Sequence, residues 1–152
     1  MPEIAEIIYA ESTRAITAQE ASLDELRSRT GVLLAALSVS TSFLGAQTAT
    51  GGLGLLGVIA LLTFAAAVGA CLYVLRPQRG WVFDLDAEIL AEDWIDEERD
   101  GGVTAMQRFI AESREGHLEN NQKKLDSLYV VFQVGAIATL IDVLFWVLQL
   151  SI

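Results

Sequence analysis

Apolar residues dominate two stretches of the chain, 30–75 and 128–150, and charged residues are absent from the whole of the first. Residues 49–52, Ala-Thr-Gly-Gly, divide the first stretch with a turn-like sequence, which leaves apolar segments at about 30–48, 51–75 and 128–150. A helix needs about 20 apolar residues to cross a hydrocarbon core of about 30 Å. Because no segment alternates apolar and polar residues, the pattern predicts three membrane-spanning helices and no spanning strands.

The residues before the first span predict a helix outside the membrane. The stretch 3–29 contains no proline or glycine. A rough apolar stripe with helical spacing is formed by Ile4, Ile8, Ala15, Ala18 and Leu26. No basic segment precedes a short apolar core, so we expect the first span to be a membrane anchor and not a cleaved signal peptide. The sequence leaves open whether this helix and the first span are continuous.

A second region outside the membrane is predicted at 76–127. Pro77 and Gly80 end the second span, because proline cannot continue a helix and glycine permits a turn. An amphipathic helix is expected over 84–100. Its apolar face consists of Leu85, Ile89, Trp94 and Ile95. A further helix is expected from about Thr104, and whether it continues unbroken through the third span is left open. Its apolar residues are Met106, Phe109, Ile110, Leu118 and Leu125.

These elements predict an all-α integral membrane protein. It has three transmembrane helices, an N-terminal cytoplasmic helix, and a helical cytoplasmic insert between the second and third spans. The expected regions are 1–29 for the N-terminal helix, 30–75 for a transmembrane hairpin, 76–127 for the acidic insert and 128–152 for the third transmembrane helix.

Basic residues at the ends of the spans predict the orientation. They adjoin only the N-terminal region and the insert, and they are Arg27, Arg29, Arg76, Arg79, Lys123 and Lys124. The turn between the first two spans carries no charge. The positive-inside rule therefore places the N-terminus and the insert in the cytoplasm, and the C-terminus outside. Tyr73, Trp81 and Trp146 are expected to anchor the span ends at the membrane interface, because their rings are half polar.

Charge and composition exclude several functional classes. The chain carries 20 acidic and 10 basic residues, a net charge of −10, whereas nucleic-acid binding needs clustered lysine and arginine. Cys71 and His117 are the single cysteine and histidine, which leaves no zinc site or internal disulfide. The acidic residues at 84–98 lack the glycine and glutamate spacing of a calcium loop. We therefore expect no enzymatic activity, no cofactor, no metal and no nucleic-acid partner.

Asp142 is the only acidic or basic residue within the predicted spans. An aspartate at the centre of a span costs about 3 kcal/mol on insertion scales, and it usually faces a partner or a water-filled cavity. Three interpretations are open: Asp142 lines a pore or cavity, makes a hydrogen bond between helices or subunits, or reaches toward the interface without a role. It is either protonated or hydrogen-bonded to a serine or threonine of the first span. Gln133 falls on a roughly neighbouring face.

Small residues line one face of the first span. They are Gly31, Ala35, Ser38, Ser42, Gly45 and Ala49. Small residues let helices approach closely, and hydroxyls can bond across the contact. One interpretation is close packing within a single subunit. The other is a seam between subunits or a water-lined pathway, in which Ser38, Ser42, Gly45, Gln133 and Asp142 are the candidate pore or helix-packing residues.

The order of these segments resembles a known family. Residues 19–29, QEASLDELRSR, lead into LLAALS at 33–38; the second span ends in VLRP at 74–77; and NNQKK at 120–124 precedes the third span. Over most of its length the chain is similar to the small membrane effectors of bacterial conflict systems, the Pycsar transmembrane effectors and the SLATT proteins. The resemblance implies an antiviral effector of the bacterial inner membrane, triggered by a nucleotide or a partner, that depolarises or permeabilises the cell. The chain departs from it in lacking a recognisable nucleotide-binding domain.

Three functions are therefore expected, in order. The first is an oligomeric inner-membrane effector or channel-like protein whose partners are the lipid bilayer, further copies of the chain, and a cytoplasmic protein or nucleotide trigger. The second is a non-conducting anchor or immunity-type protein whose cytoplasmic helices bind a partner. The third is a proton-coupled transporter that uses Asp142, although three spans are few for a transporter unless protomers assemble.

Overall fold

A computed structural model describes residues 2–51, 54–78, 80–83 and 102–150, and the described part of the chain is all-helical. Its three helices are α1 (Pro2–Gly51), α2 (Leu55–Leu75) and α3 (Gly102–Leu150). The all-α fold class is thus confirmed. The amphipathic helix predicted over 84–100 lies outside the described residues.

The helix bounds show that both long helices, α1 and α3, continue unbroken from a polar region into an apolar segment. Helix α1 runs unbroken for 50 residues, from the polar N-terminal region into the apolar segment. Helix α3 is unbroken for 49 residues and passes through Gly116. No proline interrupts either helix, and a single interior glycine costs only about 1 kcal/mol relative to alanine. The predicted stop after the second span is confirmed, since α2 ends at Leu75 and the Arg76 N–H closes its last turn on Leu72 O at 2.9 Å.

Two helical segments of the described chain are long and apolar enough to cross a membrane. They are Leu55–Leu75, with a mean hydropathy of 2.5, and Gly102–Leu148, whose most apolar window has a mean hydropathy of 2.1. Both correspond to predicted spans. The chain therefore has helices compatible with membrane insertion.

The chain divides into two compact units. Unit 1 contains Met1–Leu23 and Gln78–Leu125, and unit 2 contains Asp24–Pro77 and Asp126–Ile152. Helices α1 and α3 each contribute one half to each unit, whereas α2 belongs to unit 2 alone.

In unit 1, α1 and α3 run parallel to each other. Arg114 Nη1 donates to Thr13 Oγ1 at 2.6 Å, and Gln19 Nε2 donates to Leu118 O at 3.0 Å. The contacts therefore advance together along both helices, at sequence separations of 101 and 99 residues. Buried and half-buried side chains recur at alternating steps of four and three, which is the spacing of a coiled-coil seam. They are Ala5, Tyr9, Ser12, Ile16, Gln19 and Leu23 on α1, and Gln107, Ala111, Arg114, Leu118, Asn121 and Leu125 on α3.

The apolar stripe predicted for the N-terminal helix is confirmed only in part, since Leu26 is buried and Ala15 half-buried. Ile4 and Ile8 are 56% and 50% exposed, and Ala18 is also exposed. The seam instead lies on the adjacent face and includes several polar residues, so a search for apolar periodicity selects the wrong side. On α3 the prediction is better, because Ile110 and Leu125 are buried.

In unit 2, the packed faces of α1, α2 and α3 are built from apolar and small residues. Leu37, Ala67 and Cys71 form a buried cluster. The residues packed around that cluster are Leu33, Leu34, Phe64, Val68 and Ala138. Gly135 allows α3 to approach α2 closely, since a Cβ added there would lie 3.0 Å from Ala70 Cβ. Asp142 lies two helical turns further along the same face of α3.

Candidate functional site

Asp142 is completely buried inside unit 2, with 0% of its surface exposed. The indole Nε1 of Trp146, one turn later on α3, donates a hydrogen bond to Oδ1 of Asp142 at 3.0 Å. The second carboxyl oxygen, Oδ2, is also buried and has no hydrogen-bond partner among the described residues. The carboxyl group is thus half satisfied by its own helix.

Burial follows from the position of Asp142 in the seven-residue repeat of α3. Gly135 and Asp142 are separated by seven residues, and Leu128 lies seven residues before Gly135. Residues at this spacing share one face of a helix in a packed bundle. All three are buried, so the same geometry that brings Gly135 against α2 turns Asp142 into the unit.

No basic side chain among the described residues forms a salt bridge with Asp142. The basic residues that unit 2 contributes are Arg27, Arg29 and Arg76, which flank the apolar segments, and Arg29 pairs with Glu25. Within the described chain no cluster of three or more histidine, cysteine, aspartate or glutamate side chains could hold a metal ion. The free oxygen is therefore suited to hold a proton or to accept a hydrogen bond.

The hydroxyls of the first predicted span bond to their own helix. Thr30, Ser38 and Ser42 donate to the carbonyls of Leu26, Leu34 and Ser38 at 2.7, 2.9 and 3.1 Å. The expected hydrogen bond from such a hydroxyl to Asp142 is not made by these three residues. The donor to Asp142 is instead the indole N–H of Trp146.

The small-residue face of α1 points away from the core of unit 2. Gly31, Ala35, Ser38 and Ser42 are all exposed, while Thr30 and Leu37 are buried. These four residues therefore do not pack against other helices of the same chain. Their face is available to lipid or to a second copy of the chain.

The structure separates the candidate pore residues. Ser38, Ser42 and Gln133 are exposed, whereas Asp142 is buried. Gly45 lies in α1, toward its C-terminal end. A single chain therefore does not bring Asp142 and the hydroxyls together on one surface.

The predicted interface residues take varied positions. Tyr73 and Arg76 are exposed, and Arg27 is half-buried with an unpartnered Nε. Arg29 pairs with Glu25, and Lys123 pairs with Glu119. Lys124 donates to Gly80 O and lies over the ring of Trp81, which stacks on Phe83.

The two remaining predicted interface residues are Arg79 and Trp146. Arg79 lies outside the described residues. Trp146 points its N–H to Asp142 within unit 2.

Unit 1 contains an open groove of about 380 Å³ near the start of α1 and α3. Its walls are Ile4, Ala5, Ile8, Thr104, Arg108 and Glu112. Arg108 Nε and Glu112 Oε1 are 2.7 Å apart at the polar side of the groove. That hydrogen bond raises the pKa of the Arg108 guanidinium above its ordinary value. The groove can accept an apolar side chain or a short helix face next to a neutralised ion pair.

Sequence reasoning missed two features. One is the pairing of Trp146 with Asp142, which the four-residue spacing on a helix could have indicated. The other is the polar part of the unit 1 seam, where Gln19, Arg114 and Asn121 occupy positions that an apolar search ignores. A test for seven-residue spacing that accepted polar residues would have found it.

Comparison with family models, with curated proteins and with solved structures found no match for this chain.

Proposed function

We propose that the chain is an oligomeric membrane effector or channel-like protein of a bacterial inner membrane, acting by depolarising or permeabilising that membrane. One observation carries the proposal: the small, hydroxyl-bearing face of α1 is exposed in a chain that has apolar membrane-length helices. Faces of this kind let helices from separate subunits approach closely. A pore needs such a repeated contact around an axis.

The proposal includes three spans. The apolar half of α1 forms the first, α2 the second and the apolar half of α3 the third. The basic residues named above favour a cytoplasmic N-terminus, a cytoplasmic 76–127 region and an outer C-terminus. The net negative charge of the chain disfavours nucleic acid and does not attract an anionic nucleotide, so of the two expected classes of trigger a protein is favoured over a nucleotide.

In this proposal, Asp142 acts inside each subunit. Its complete burial supports a role in the packed interior of unit 2, where the bond from Trp146 fixes the carboxyl group on α3. The pathway itself is assigned to the exposed stripe of Ser38 and Ser42, at the contact between copies.

The experiment measures membrane potential with a voltage-sensitive dye in bacteria during controlled expression of the chain. We expect the native chain to collapse the potential, and Ser38→Leu and Ser42→Leu to abolish or strongly reduce that collapse. Val39→Leu is the matched control, because Val39 is 59% exposed on the same helix but lies off the small-residue face. It should behave as the native chain.

Two results would contradict the proposal. One is a chain that is monomeric by native mass measurement in mild detergent and leaves the potential unchanged. The other is equal activity of the Ser38→Leu, Ser42→Leu and Val39→Leu variants at equal membrane levels, which would remove the stripe from the mechanism.

The groove in unit 1 favours a second candidate, a non-conducting interaction protein. Ile4 and Ile8 line the groove, whereas Ile7 is 66% exposed and does not. For this candidate, Ile8→Glu should abolish the cellular phenotype with the potential unaffected, and Ile7→Glu should leave it intact. A phenotype equally sensitive to both changes would point to general loss of surface apolarity and would count against the groove.

A further inference from the structure

Two carboxamide side chains occupy the seam between α1 and α3 in unit 1. Gln19 Nε2 donates to Leu118 O at 3.0 Å and to Gln122 Oε1 at 3.2 Å. These two acceptors lie on either side of Asn121 on α3. Asn121 is 1% exposed, and its Nδ2 donates to Val82 O at 2.9 Å. The amides thus join α1, α3 and the 80–83 segment.

The layers next to these amides are apolar. Ile16 and Leu118 lie one step before them in the repeat, and Leu23 and Leu125 lie one step after. Both Ile16–Leu118 and Leu23–Leu125 pairs are separated by 102 residues, in agreement with the direct contacts at 99 to 103. A slip of α1 by one heptad toward the C-terminus of α3 would place Ile16 opposite Leu125 and Leu23 opposite Phe132, so both layers would remain apolar. Apolar packing alone therefore does not distinguish the observed register from a shifted one.

A slip would, however, break the contacts of Gln19 with α3, whereas the bond from Asn121 to Val82 O does not involve α1. Gln19 would leave the turn formed by Leu118 and Gln122, and its amide would remain in the seam without those acceptors. A buried polar group that loses its partners costs far more than the bond itself contributes. A single polar residue at the seam is the device that fixes register in coiled coils, at some cost in stability.

We infer that Gln19 is a register lock, which sets the alignment of α1 against α3 in unit 1, while Asn121 attaches the 80–83 segment to α3 beside it. The buried oxygens Gln19 Oε1 and Asn121 Oδ1 have no partner among the described residues. This incomplete satisfaction is the stability cost that accompanies such a lock. The inference is independent of membrane conductance and goes beyond the proposed function.

Cysteine cross-linking of the full chain in mild detergent tests the lock. Cys71 is replaced by alanine, and two cysteine pairs are compared: Ile16→Cys with Leu118→Cys for the observed register, and Ile16→Cys with Leu125→Cys for a one-heptad slip. With the native amides, the first pair should form a disulfide at least about tenfold more readily than the second, because the slip leaves the half-buried Gln19 amide without its acceptors on α3.

The same two pairs are then placed in a Gln19→Leu/Asn121→Leu background. We expect the preference to fall severalfold while helix content, measured by circular dichroism, stays native, since leucine suits both seam positions. The matched control is Glu20→Leu/Asn120→Leu, which changes two exposed neighbours and should keep the native preference.

Two outcomes would overturn the lock. Equal cross-linking of both pairs in the native background would show that the amides do not choose the register. An unchanged preference in the Gln19→Leu/Asn121→Leu chain would assign the register to other residues. Should that chain lose helix content, Gln19→Leu alone provides the second test, because it removes the amide that contacts α3 and leaves Asn121 bonded to Val82 O; an unaltered preference there would also contradict the lock.

Discussion

Single residues in unit 2 show how a polar group is accommodated among apolar helices. Asp142 has one oxygen bonded to Trp146 Nε1 and one without a partner in the described chain. The sequence could identify Asp142 as unusual, because it is the only acidic or basic residue within the predicted spans. It could not identify the direction of the side chain, since burial depends on the close approach of α2 and α3 at Gly135.

Removing the indole donor tests how much that hydrogen bond contributes to the free energy of unfolding. Trp146→Phe keeps an aromatic ring but leaves both oxygens of Asp142 without a donor, so we expect a loss of about 1–3 kcal/mol in the free energy of unfolding. Unfolding by sodium dodecyl sulfate from mild detergent measures it. Trp81→Phe is the control, because Trp81 Nε1 has no partner to lose. Equal losses in both variants would contradict the role given to the Trp146 N–H.

Gly135 tests the close contact between α2 and α3. A Cβ at this position would lie 3.0 Å from Ala70 Cβ, so Gly135→Ala should force the helices apart and destabilise unit 2 by about 1–3 kcal/mol. Gly69→Ala should be neutral or slightly stabilising, because nothing lies within 4 Å of a Cβ there. The same denaturation assay applies. A Gly135→Ala chain as stable as the Gly69→Ala chain would show that the contact is loose.

At the scale of elements, the long helices combine two kinds of sequence. In α1 the apolar segment and its polar extension were both recognisable, and so was the stop after α2 at Pro77. The face used by the polar extension was not recognisable, because its seam contains Ser12 and Gln19 while Ile4 and Ile8 remain exposed. Apolar periodicity finds a seam only when the partner helix buries apolar residues; here the partner contributes Arg114 and Asn121.

An ion pair on the exposed face of α3 gives a prediction for pH dependence. Lys123 Nζ lies 2.7 Å from Glu119 Oε1, and this hydrogen bond lowers the pKa of Glu119. The pair therefore stabilises α3 fully at pH values above the ordinary glutamate pKa of about 4.3. This stabilisation is lost as the pH falls through the lowered pKa of Glu119. Titration of Glu119 by carbon-detected NMR should show Lys123→Gln raising its pKa.

Lys124→Gln is the control for this titration. Lys124 donates to Gly80 O instead of to Glu119. The Glu119 pKa should not move in that variant. A Glu119 pKa that is equal in the native chain and in Lys123→Gln would show that the pair does not form in solution.

At the scale of the whole molecule, the number of spans decides on which side of the membrane the N-terminus lies. Two helical segments meet the length and hydropathy requirements in the described chain. The apolar half of α1 is the proposed third, and it is weaker because serine and threonine are frequent in it. Composition could predict membrane insertion, but the assignment of α1 depends on how its hydroxylated face is covered.

Labelling with a membrane-impermeant maleimide tests the three-span arrangement in spheroplasts. In a Cys71→Ala chain, Glu6→Cys and Glu115→Cys introduce single thiols at exposed positions. With three spans, both thiols should react only after the membrane is permeabilised. With α2 and α3 as the only spans, Glu6→Cys should react in intact spheroplasts while Glu115→Cys remains protected, and the three-span proposal would be wrong.

The parallel pairing of α1 and α3 also has a consequence for synthesis. The two helices that share the unit 1 seam are about 100 residues apart in the chain, with contacts at separations of 99 to 103. Contacts between distant residues are slow to form, because loop closure must precede them. At about 5–20 residues per second, α1 leaves the ribosome roughly 5–20 seconds before its partner exists. During that interval the apolar side chains of Ile16 and Leu23 are not buried by α3. We therefore expect the nascent chain to need early membrane insertion or a chaperone to avoid aggregation.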